Sequence, residues 1–335
     1  ADGMRFGLLM QVTGAQDLKF NENKLVSSRN FANKIRNAAR FVMMNLDDYT
    51  PGAPDPTTPA DRWIFSRLAR LVASIDEAYK EYEFSDMTRE LYAFFWNEFC
   101  DWYIELSKPR LAAGGQDRAA CQRNLVFVLD TALRLLHPAM PFVTEQIYQD
   151  MPGEKDSPYL MMAAWPDAEE LAAYIDPAAE RALAIVTQSV SGIRSIRARY
   201  GISPKTKLEM TVKAQSAEAV QLFEEQQNLI VALGNVEVVV VSETAEKPAE
   251  STMRLADDVE IYVALSGLVD FAAEQARIEK ELGKLEKDRV KFDKKLSNPG
   301  FLSKAAPEII EKDRAKLADI VERMDRLQAE LAEMK

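Results

Sequence analysis

The sequence predicts a mainly helical protein in which a helical bundle is followed by a small α+β unit and a C-terminal antiparallel coiled-coil hairpin. Three observations support this fold class. Apolar residues recur at helical spacing through most of the first 168 residues. Strand-like runs occur only between positions 208 and 264, and heptad repeats fill the rest of the chain. We therefore expect domains at 24–168, 169–271 and 272–335, with residues 1–23 as the tail of a preceding region.

The composition allows a large buried core and argues against a membrane segment. Hydrophobic residues make up 47% of the 335 positions, and their longest runs are far too short to cross a bilayer. The first five residues include an acid and do not resemble a signal peptide, and no membrane partner is expected. The presence of only two cysteines makes the cytoplasm the expected compartment. The chain lacks an initiator Met, which indicates a fragment of a longer protein. Cys100 and Cys121 lack CxxC spacing, so no zinc site is expected.

The bundle opens with a helix predicted from Val26 to Leu46, which ends before a proline-rich connector at 49–59. At the end of this connector, Thr58 and Asp61 flank Pro59 in the pattern of an N-cap, a first-turn proline and an acid at the third helical position. A second helix is therefore predicted to begin at Pro59.

An aromatic and acidic run, FWNEFCDWYIE at 95–105, predicts the central core helix of the bundle. Its apolar positions repeat with a helical period and leave a wide buried stripe. Ser85 is the expected N-cap, and the Lys-Pro pair at 108–109 is expected to end the helix. Further helices are predicted at 117–137 and, after a sharp turn, up to about Met151.

The middle of the chain mixes helices with strands, which is typical of a small α+β unit. A helix is predicted to end at Arg199. It is followed by strands at 208–212, 236–241 and 259–264, with a helix at 217–233. The segment 244–251 is expected to be a loop.

The last segment is predicted to be a helical hairpin because each arm carries a heptad seam. The first seam consists of Ile278, Leu282, Leu285, Arg289, Phe292 and Leu296. The second consists of Ile310, Asp313, Leu317, Ile320, Met324, Leu327, Leu331 and Met334. Asn298-Pro299-Gly300 supplies the turn. In an antiparallel hairpin centred near Phe301 the two charged seam residues oppose each other. An Arg289–Asp313 contact is therefore predicted to fix the register, since an unpaired charge in the seam is costly.

The formal net charge is −11, but the bases are concentrated in three segments. Segments 24–46 and 189–208 each hold five Lys or Arg residues and no acid, and 287–304 holds six against two acids. By contrast, 145–181 holds nine acids and two bases. Such segregation suits a protein that grips a polyanion at a few places. The alternative is that the basic segments are ordinary solvated helix faces.

The sequence carries no catalytic constellation. The single histidine, His137, precedes Pro138 at a predicted helix end with no nucleophile nearby in sequence, so a structural role is expected. A Gly-rich phosphate loop and an aspartate cluster with metal-ligand spacing are both missing from the sequence. No catalytic residue, metal ligand or cofactor of its own is therefore predicted for this chain.

The first predicted helix instead carries a face suited to nucleic acid. Its bases and amides recur at helical spacing without an acid, opposite Phe31, Ile35 and Val42. Arginine forms forked pairs with phosphate oxygens, and asparagine can read base edges. The candidate binding residues on this helix are Arg29, Asn33, Lys34, Arg36, Asn37 and Arg40. The alternative is a solvated face, although such a face usually includes acids.

Several motifs resemble those of valyl-tRNA synthetases. The run at 95–105 resembles a segment of their helical anticodon-binding domain, and LHPAMPFVTE at 136–145 resembles their LHPxMPFxTE motif. RNFANKIRNAARF at 29–41 resembles RNFxNK(I/L)WNAxRF, except that Arg36 stands where the family usually has tryptophan. Residues 1–9 and 16–20 resemble segments that follow the family's KMSKS loop. The segment 295–308 resembles the tip of the coiled coil in which the valyl enzymes end.

The resemblance implies the tRNA-binding C-terminal portion of an enzyme that joins valine to its tRNA. The bundle would bind the anticodon, and the coiled coil would be a tRNA-binding arm of a protein expected to be monomeric. The parent's chemistry requires ATP and magnesium in a catalytic domain with HIGH and KMSKS motifs. This chain has one histidine and no KMSKS, and it lacks the editing domain. It is therefore expected not to activate valine alone.

The resemblance also extends the candidate tRNA contacts beyond the first helix. In the linker domain these are Arg194, Arg197 and Arg199. In the coiled coil they are Lys291, Lys294, Lys295, Phe301 and Lys304. A basic tip with an apolar Phe301 suits phosphate pairing and stacking at the outer corner of tRNA. The alternative function is a non-catalytic helical and coiled-coil scaffold that binds a protein partner.

Overall fold

A computed structural model describes residues 1–12, 22–153, 155–302 and 307–333 and confirms a mainly helical fold. The chain divides into two compact units, Ala1–Leu183 and Ala184–Lys335. The α-helices of the first unit are α1 (Asp2–Leu9), α2 (Glu22–Met43), α3 (Pro59–Lys80), α4 (Phe84–Ala93), α5 (Ile104–Ala113), α6 (Gly115–Leu136), α7 (Pro141–Asp150) and α8 (Ala168–Leu171). A π-helix, Phe94–Tyr103, lies between α4 and α5.

The boundary between the two units falls within α9 (Pro177–Tyr200). The second unit continues with β1 (Leu208–Ala214), α10 (Ala217–Gly234), β2 (Val236–Ser242), β3 (Ser251–Ala256), β4 (Val259–Ala264), α11 (Phe271–Leu296), α12 (Pro299–Leu302) and α13 (Pro307–Glu333).

Helix α3 begins where the sequence predicts. The Thr58 side chain accepts a hydrogen bond from the Asp61 N–H, and the Asp61 carboxylate accepts one from the Thr58 N–H, which closes a capping box around Pro59. Asp61 is fully buried and also accepts hydrogen bonds from Tyr103 Oη at 2.7 Å and Arg110 Nη1 at 2.6 Å. The start of α3 is thereby joined to the π-helix and to α5, and the buried carboxylate has a cationic partner.

The aromatic run forms the core of the bundle, as predicted, but as a π-helix rather than an α-helix. Phe94, Phe99 and Tyr103 are all buried and are separated by five and four positions. The i→i+5 hydrogen bonds of a π-helix widen each turn, and this spacing keeps the large rings on the buried side. π-Helices of this length are rare, and shorter ones are frequent at functional sites.

Two predicted helix boundaries in this region are wrong. Helix α4 begins at Phe84, so Ser85 lies inside the first turn rather than at the N-cap. Pro109 lies within α5, where it removes one helical hydrogen bond and its ring crowds the carbonyl four residues earlier. That residue, Glu105, is exposed, so water can take the bond. Helix α5 instead ends at Gly114, whose φ of 80° is unfavourable for residues with a Cβ atom.

The N-terminal helix α1 packs within the first unit. The ring of Phe6 lies 4.9 Å from that of Phe31 on α2, and both side chains are fully buried. The Asp2 carboxylate accepts hydrogen bonds from the Phe142 and Val143 N–H groups at the start of α7, at 3.2 and 2.7 Å. An acid there satisfies backbone donors that a helix leaves unpaired. The motif at 16–20 lies outside the described residues.

The second unit contains a four-stranded sheet of order β2-β1-β4-β3. Strand β1 pairs parallel with β2, and β4 pairs antiparallel with β1 and β3. Helix α10 connects the two parallel strands and ends at Asn235, which adopts the left-handed conformation. A Cβ atom on the preceding Gly234 would lie 2.9 Å from Ile193 Cδ1 of α9. A larger residue at 234 would therefore require the Ile193 side chain to shift.

Strand β3 is absent from the sequence prediction, which places only a loop at 244–251 between β2 and β4. It pairs with β4 from Ser251 to Ala256 and turns at Asp257, whose φ is 52°. Because β3 lies at the edge of the sheet, its side chains are unevenly buried, and Leu255 is 62% exposed. The alternation that would reveal a strand in the sequence is therefore weak.

The predicted hairpin is formed by α11 and α13, which run antiparallel. Ile278, Met324 and Leu327 of the predicted seams are buried, and the other seam residues that the structure describes are buried or half-buried. Their flanking positions are mostly exposed. The heptad pattern therefore identifies the inward faces of both arms.

The predicted contact between the two charged seam residues is wrong. Arg289 pairs with Glu286 on its own helix at 2.7 Å, whereas the buried Asp313 pairs with Lys295 at 2.6 Å. Acid and base three positions apart are neighbours on a helix surface, which satisfies the arginine locally. A lysine can lay its aliphatic stem along the seam while its ammonium reaches the carboxylate. Lys295, and not Arg289, therefore compensates the buried charge of the hairpin.

Candidate nucleic-acid interface

The predicted polar face of α2 is exposed. Arg29, Asn33, Arg36, Asn37 and Arg40 all lie at the surface. The opposite face is anchored by Phe31, Ile35 and Val42, each of which is fully buried. Arg36 donates a hydrogen bond from Nη2 to Gln146 Oε1 of α7 at 3.2 Å. The four other exposed side chains have no hydrogen-bond or ion-pair partner among the described residues.

Lys34 differs from the other polar residues of α2 because its ammonium is already engaged. Its Nζ lies 2.5 Å from Asp101 Oδ1 and 3.9 Å from the centroid of the Trp96 ring. Asp101 and Trp96 both belong to the π-helix. The lysine therefore makes an ion pair and a cation–π contact with the same neighbouring element.

The Trp96 ring extends an aromatic cluster from the core towards this face. It stacks on Tyr92 with centroids 5.3 Å apart and planes at 14°, and Tyr92 lies 4.8 Å from Phe31. Sequence reasoning assigned the aromatic run to the core and missed that Trp96 and Asp101 border the polar face of α2. The four-residue spacing of Tyr92 and Trp96, with an acid five positions further on, is the sequence signal that could have revealed this shared surface.

A half-buried ion pair joins the π-helix to α3. The Arg67 guanidinium donates from Nε to both Glu98 carboxylate oxygens at 3.1 Å and from Nη2 to Oε1 at 2.9 Å. Burial raises the pKa of Glu98 above its ordinary value, although hydrogen bonds from Arg67 oppose the shift. Forked pairing restricts rotation of both partners. The element that carries Trp96 and Asp101 is therefore held rigidly.

The linker arginines do not form a free basic stripe. Arg197 is buried and donates to the carbonyls of Ser203 at 2.8 Å, Gly234 at 3.1 Å and Asn235 at 3.0 Å. Burial lowers its pKa below the ordinary value. Its predicted role as a tRNA contact is therefore replaced by a structural one, since it ties the end of α10 to the loop after α9.

The two other linker candidates keep some surface exposure. Arg194 is exposed and Arg199 is half-buried. The Arg199 guanidinium lies 5.0 Å from the ring of Tyr200, and it contributes to the lowered pKa of Glu274. Both arginines have partners within the protein. A contact with phosphate would therefore require exchange of existing interactions.

The hairpin tip holds Lys291, Lys294 and Lys295 at the surface. The ammonium of Lys295, besides its pair with Asp313, lies 4.7 Å from the ring centroid of the half-buried Phe301. Of the predicted tip residues, Lys304 lies outside the described residues. The tip therefore combines two exposed ammonium groups with an aromatic ring that a third lysine covers.

The residue types that commonly ligate metals are dispersed over the part of the chain that the structure describes. Throughout the described ranges, His, Cys, Asp and Glu residues do not gather in groups of three or more that could hold a metal ion. His137 accepts or donates a hydrogen bond between Nδ1 and Thr144 Oγ1 at 2.8 Å, and burial lowers its pKa. It therefore supports the turn between α6 and α7.

Among the helices that the structure describes, none is long and apolar enough to traverse a bilayer.

Comparison with known proteins assigns most of the chain. Residues 61–212 match the family described as the anticodon-binding domain of tRNA ligase, and residues 270–335 match the valyl tRNA synthetase tRNA binding arm. Helix α2 precedes the first matched range but packs within the same unit. The ring of its Phe31 lies 6.2 Å from that of Phe95.

The relatives agree with these two matches. The valine--tRNA ligase of Geobacter sulfurreducens is 38% identical over 339 residues, which cover 100% of this chain and 38% of the relative. The valine--tRNA ligase of Thermotoga maritima is 37% identical over 335 residues, which cover 100% of this chain and 37% of the relative. The chain spans less than two fifths of the length of these curated relatives. It corresponds to the C-terminal anticodon-binding and tRNA-binding-arm region of valyl-tRNA synthetase.

Proposed function

We propose that the chain binds valine-specific tRNA at two places. The exposed face of α2 takes the anticodon stem and loop, and the tip of the α11–α13 hairpin takes the outer corner of the tRNA, where its D and T loops meet. The observation that carries the proposal is the surface of α2, which presents Arg29, Asn33, Arg36, Asn37 and Arg40 without an acid among them. This surface belongs to the unit that contains most of the anticodon-binding match.

The chemistry of the α2 face suits a single-stranded RNA loop flanked by a stem. The guanidinium groups of Arg29 and Arg40 are free to form forked bonds with phosphate oxygens. The amides of Asn33 and Asn37 carry both donors and acceptors and can read the edges of unstacked loop bases. Because α2 is anchored by fully buried residues on its other face, these groups are presented without a large ordering cost.

The hairpin contributes a second, sequence-independent contact. Lys291 and Lys294 neutralise backbone phosphates, and Phe301 stacks on an exposed base pair at the corner of the tRNA. Lys295 and Lys304 complete the proposed tip. The Arg194 and Arg199 side chains lie on α9, and we rank their contribution to tRNA binding below that of α2 and the tip.

In the parent enzyme this region holds tRNA while another part joins valine to it using ATP and magnesium. We therefore expect the chain alone, a monomer from the cytoplasm, to show no valine-dependent pyrophosphate exchange. Detectable exchange by the pure chain would contradict this division of labour.

The test is filter binding of the chain to transcribed valine tRNA and to the same tRNA with its anticodon replaced, at about 50 and 200 mM salt. Binding that depends on the anticodon and falls with salt supports the proposal. Equal binding to both tRNAs would leave only backbone and coiled-coil contacts. Binding to neither would favour the scaffold alternative or a requirement for the rest of the enzyme.

Matched variants sharpen this test. Replacing Arg40 with Ala should weaken binding by about 0.5–1.5 kcal/mol, the usual size of one hydrogen bond. It should also flatten the salt dependence by about one unit or less. The control is Arg62→Ala on α3, since Arg62 is 52% exposed and pairs with Asp176, a residue outside α2. Equal weakening of tRNA binding by both variants would show that binding depends only on the net charge of the chain.

A further inference from the structure

Two groups cover the Trp96 ring. The Tyr92 ring stacks on it, with centroids 5.3 Å apart and planes at 14°. The ammonium of Lys34 lies over it, with Nζ 3.9 Å from the ring centroid. Tyr92 is part of the aromatic core, because its ring lies 4.8 Å from that of Phe31. Lys34 is half-buried, with 23% of its side chain exposed.

The cover formed by Lys34 is held by one partner and is removable. Asp101 binds the ammonium at 2.5 Å, and the side chains of Lys34 and Asp101 are 23% and 47% exposed. Ion pairs with this exposure contribute little because water and salt screen them. A phosphate oxygen offers the ammonium a comparable partner, so the lysine can leave Trp96 without losing its ionic contact.

The surroundings of this covered ring are suited to an RNA loop. Asn37 follows Lys34 by three positions, so the two are neighbours on the helix surface, and Asn37 is exposed. Trp96 lies in a π-helix, and short π-helical segments are frequent at functional sites. Bases of single-stranded loops bind proteins by stacking on aromatic rings while amides contact their edges.

We propose that Lys34 covers a base-stacking site on Trp96. When RNA binds, Lys34 turns from Asp101 to a phosphate, and one unpaired loop base takes its place on the indole ring beside Asn37. This inference rests on the proposed tRNA-binding function and adds to it a stacking residue, Trp96. It also adds a carboxylate, Asp101, that opposes binding by holding the cover closed.

The stacking step is tested with an RNA hairpin that reproduces the anticodon arm of valine tRNA, with each loop base replaced in turn by an abasic site. At one position the abasic change should weaken binding to the unmodified 335-residue chain by roughly tenfold, within the range of base–aromatic stacking. The same change should have little effect on Trp96→Leu and should keep most of its effect on Trp96→Phe. If Trp96→Leu responds to every abasic site as the unmodified chain does, the proposal is overturned.

The covering step is tested independently of any change to the aromatic ring. Asp101→Asn should tighten binding by about two- to fivefold, the range expected for releasing an exposed ion pair. In the Lys34→Ala background, Asp101→Asn should have no such effect. The control for net charge is Asp86→Asn, since Asp86 is also about half exposed and pairs with Arg89 on its own helix. Tightening that is equal for Asp86→Asn, or that persists without Lys34, would overturn the proposal.

Different results would refute the tRNA-binding proposal and the Trp96 stacking proposal. If the RNA hairpin shows no salt-dependent binding at all, the proposal that this chain by itself binds tRNA fails, and the stacking proposal fails with it. If Arg40→Ala weakens binding but neither Trp96→Leu nor Asp101→Asn changes it as described, the α2 face binds RNA and the stacking site is refuted. Helical content measured by circular dichroism establishes that each variant is folded.

Discussion

Replacing Arg197 with methionine should destabilise the second unit without altering the salt dependence of tRNA binding. Arg197 is buried, and its guanidinium donates to the carbonyls of Ser203, Gly234 and Asn235 at 2.8–3.1 Å. Methionine retains much of the aliphatic stem and fills similar space, so the change removes mainly the three hydrogen bonds. The experiment therefore separates a structural arginine from an RNA-contacting one.

The size of the effect follows from which carbonyls water can reach. Ser203 and Asn235 are exposed, so solvent can replace the guanidinium at their carbonyls, whereas Gly234 is buried. One carbonyl is then left without a partner, which costs about 1–3 kcal/mol. Loss of the charge-assisted bonds at the two exposed carbonyls adds a smaller amount. We expect the free energy of unfolding of the second unit to fall by about 2–4 kcal/mol in total.

The distribution of tryptophan allows the two units to be followed separately. All four tryptophans, at positions 63, 96, 102 and 165, lie in the first unit. In a urea titration, tryptophan fluorescence therefore reports unfolding of the first unit, while far-ultraviolet circular dichroism reports both. Arg197→Met should move the transition seen only by circular dichroism to lower urea, and Arg194→Met serves as the exposed control.

Two results would refute the reasoning on Arg197. One is an unchanged circular-dichroism transition, which would show that the three carbonyl contacts contribute nothing to stability. The other is weaker tRNA binding with a flatter salt dependence at unchanged stability, which would return Arg197 to the RNA interface.

Three further substitutions test the fold around the proposed sites. Lys295→Met leaves the buried Asp313 without its cation and should destabilise the hairpin by about 1–3 kcal/mol, measured by thermal melting. An equal loss of stability in Lys294→Met would contradict this prediction. Gly114→Ala should cost about 1–3 kcal/mol in urea unfolding, purely from its φ of 80°, since a Cβ atom there meets nothing within 4 Å. An arginine hydrogen bond lowers the pKa of Asp156 from 3.8 to about 2, so its stabilising effect is present above pH 3.8. The stability difference from Asp156→Asn should disappear as the pH falls from 3.8 to about 2, and a pH-independent difference would contradict it.

Features that arise from short stretches of chain could be predicted from the sequence. The capping box of Thr58 and Asp61 needs only four residues, and the heptad seams of α11 and α13 repeat over many turns. Strand β4 was predicted at its observed limits because four of its six residues are β-branched or aromatic. In each case local chemistry and tertiary packing favour the same structure.

Features that depend on tertiary neighbours could not be predicted in this way. The π-helix keeps the helical pattern of apolar residues, so its extra width becomes visible only when its packing against α3 is known. The burial of Arg197 follows from carbonyls that are up to 38 positions away in sequence. The pairing of Asp313 with Lys295 depends on how far a flexible lysine reaches along the seam. A charge pattern in sequence cannot distinguish such structural bases from free ones.

The two proposed RNA sites share one arrangement, a lysine that binds a carboxylate and covers an aromatic ring. On α2 the lysine–carboxylate distance is 2.5 Å, and at the hairpin tip it is 2.6 Å. The exposure of the carboxylate determines whether its lysine can leave it. The Asp101 side chain is 47% exposed, so water can solvate it once Lys34 leaves. The Asp313 side chain is only 8% exposed, so loss of Lys295 would leave a buried charge unpaired.

This difference in burial predicts opposite outcomes for the same chemical change. Asp101→Asn should release Lys34 and tighten RNA binding at little cost in stability. Asp313→Asn removes a buried charge together with its ion pair, so Lys295 gains freedom while the seam keeps a polar group that still needs a hydrogen bond. We expect Asp313→Asn to change hairpin stability, measured by thermal melting, more than it changes tRNA affinity. A larger effect of Asp313→Asn on tRNA affinity than on thermal stability would show that Lys295, like Lys34, can leave its carboxylate to bind RNA.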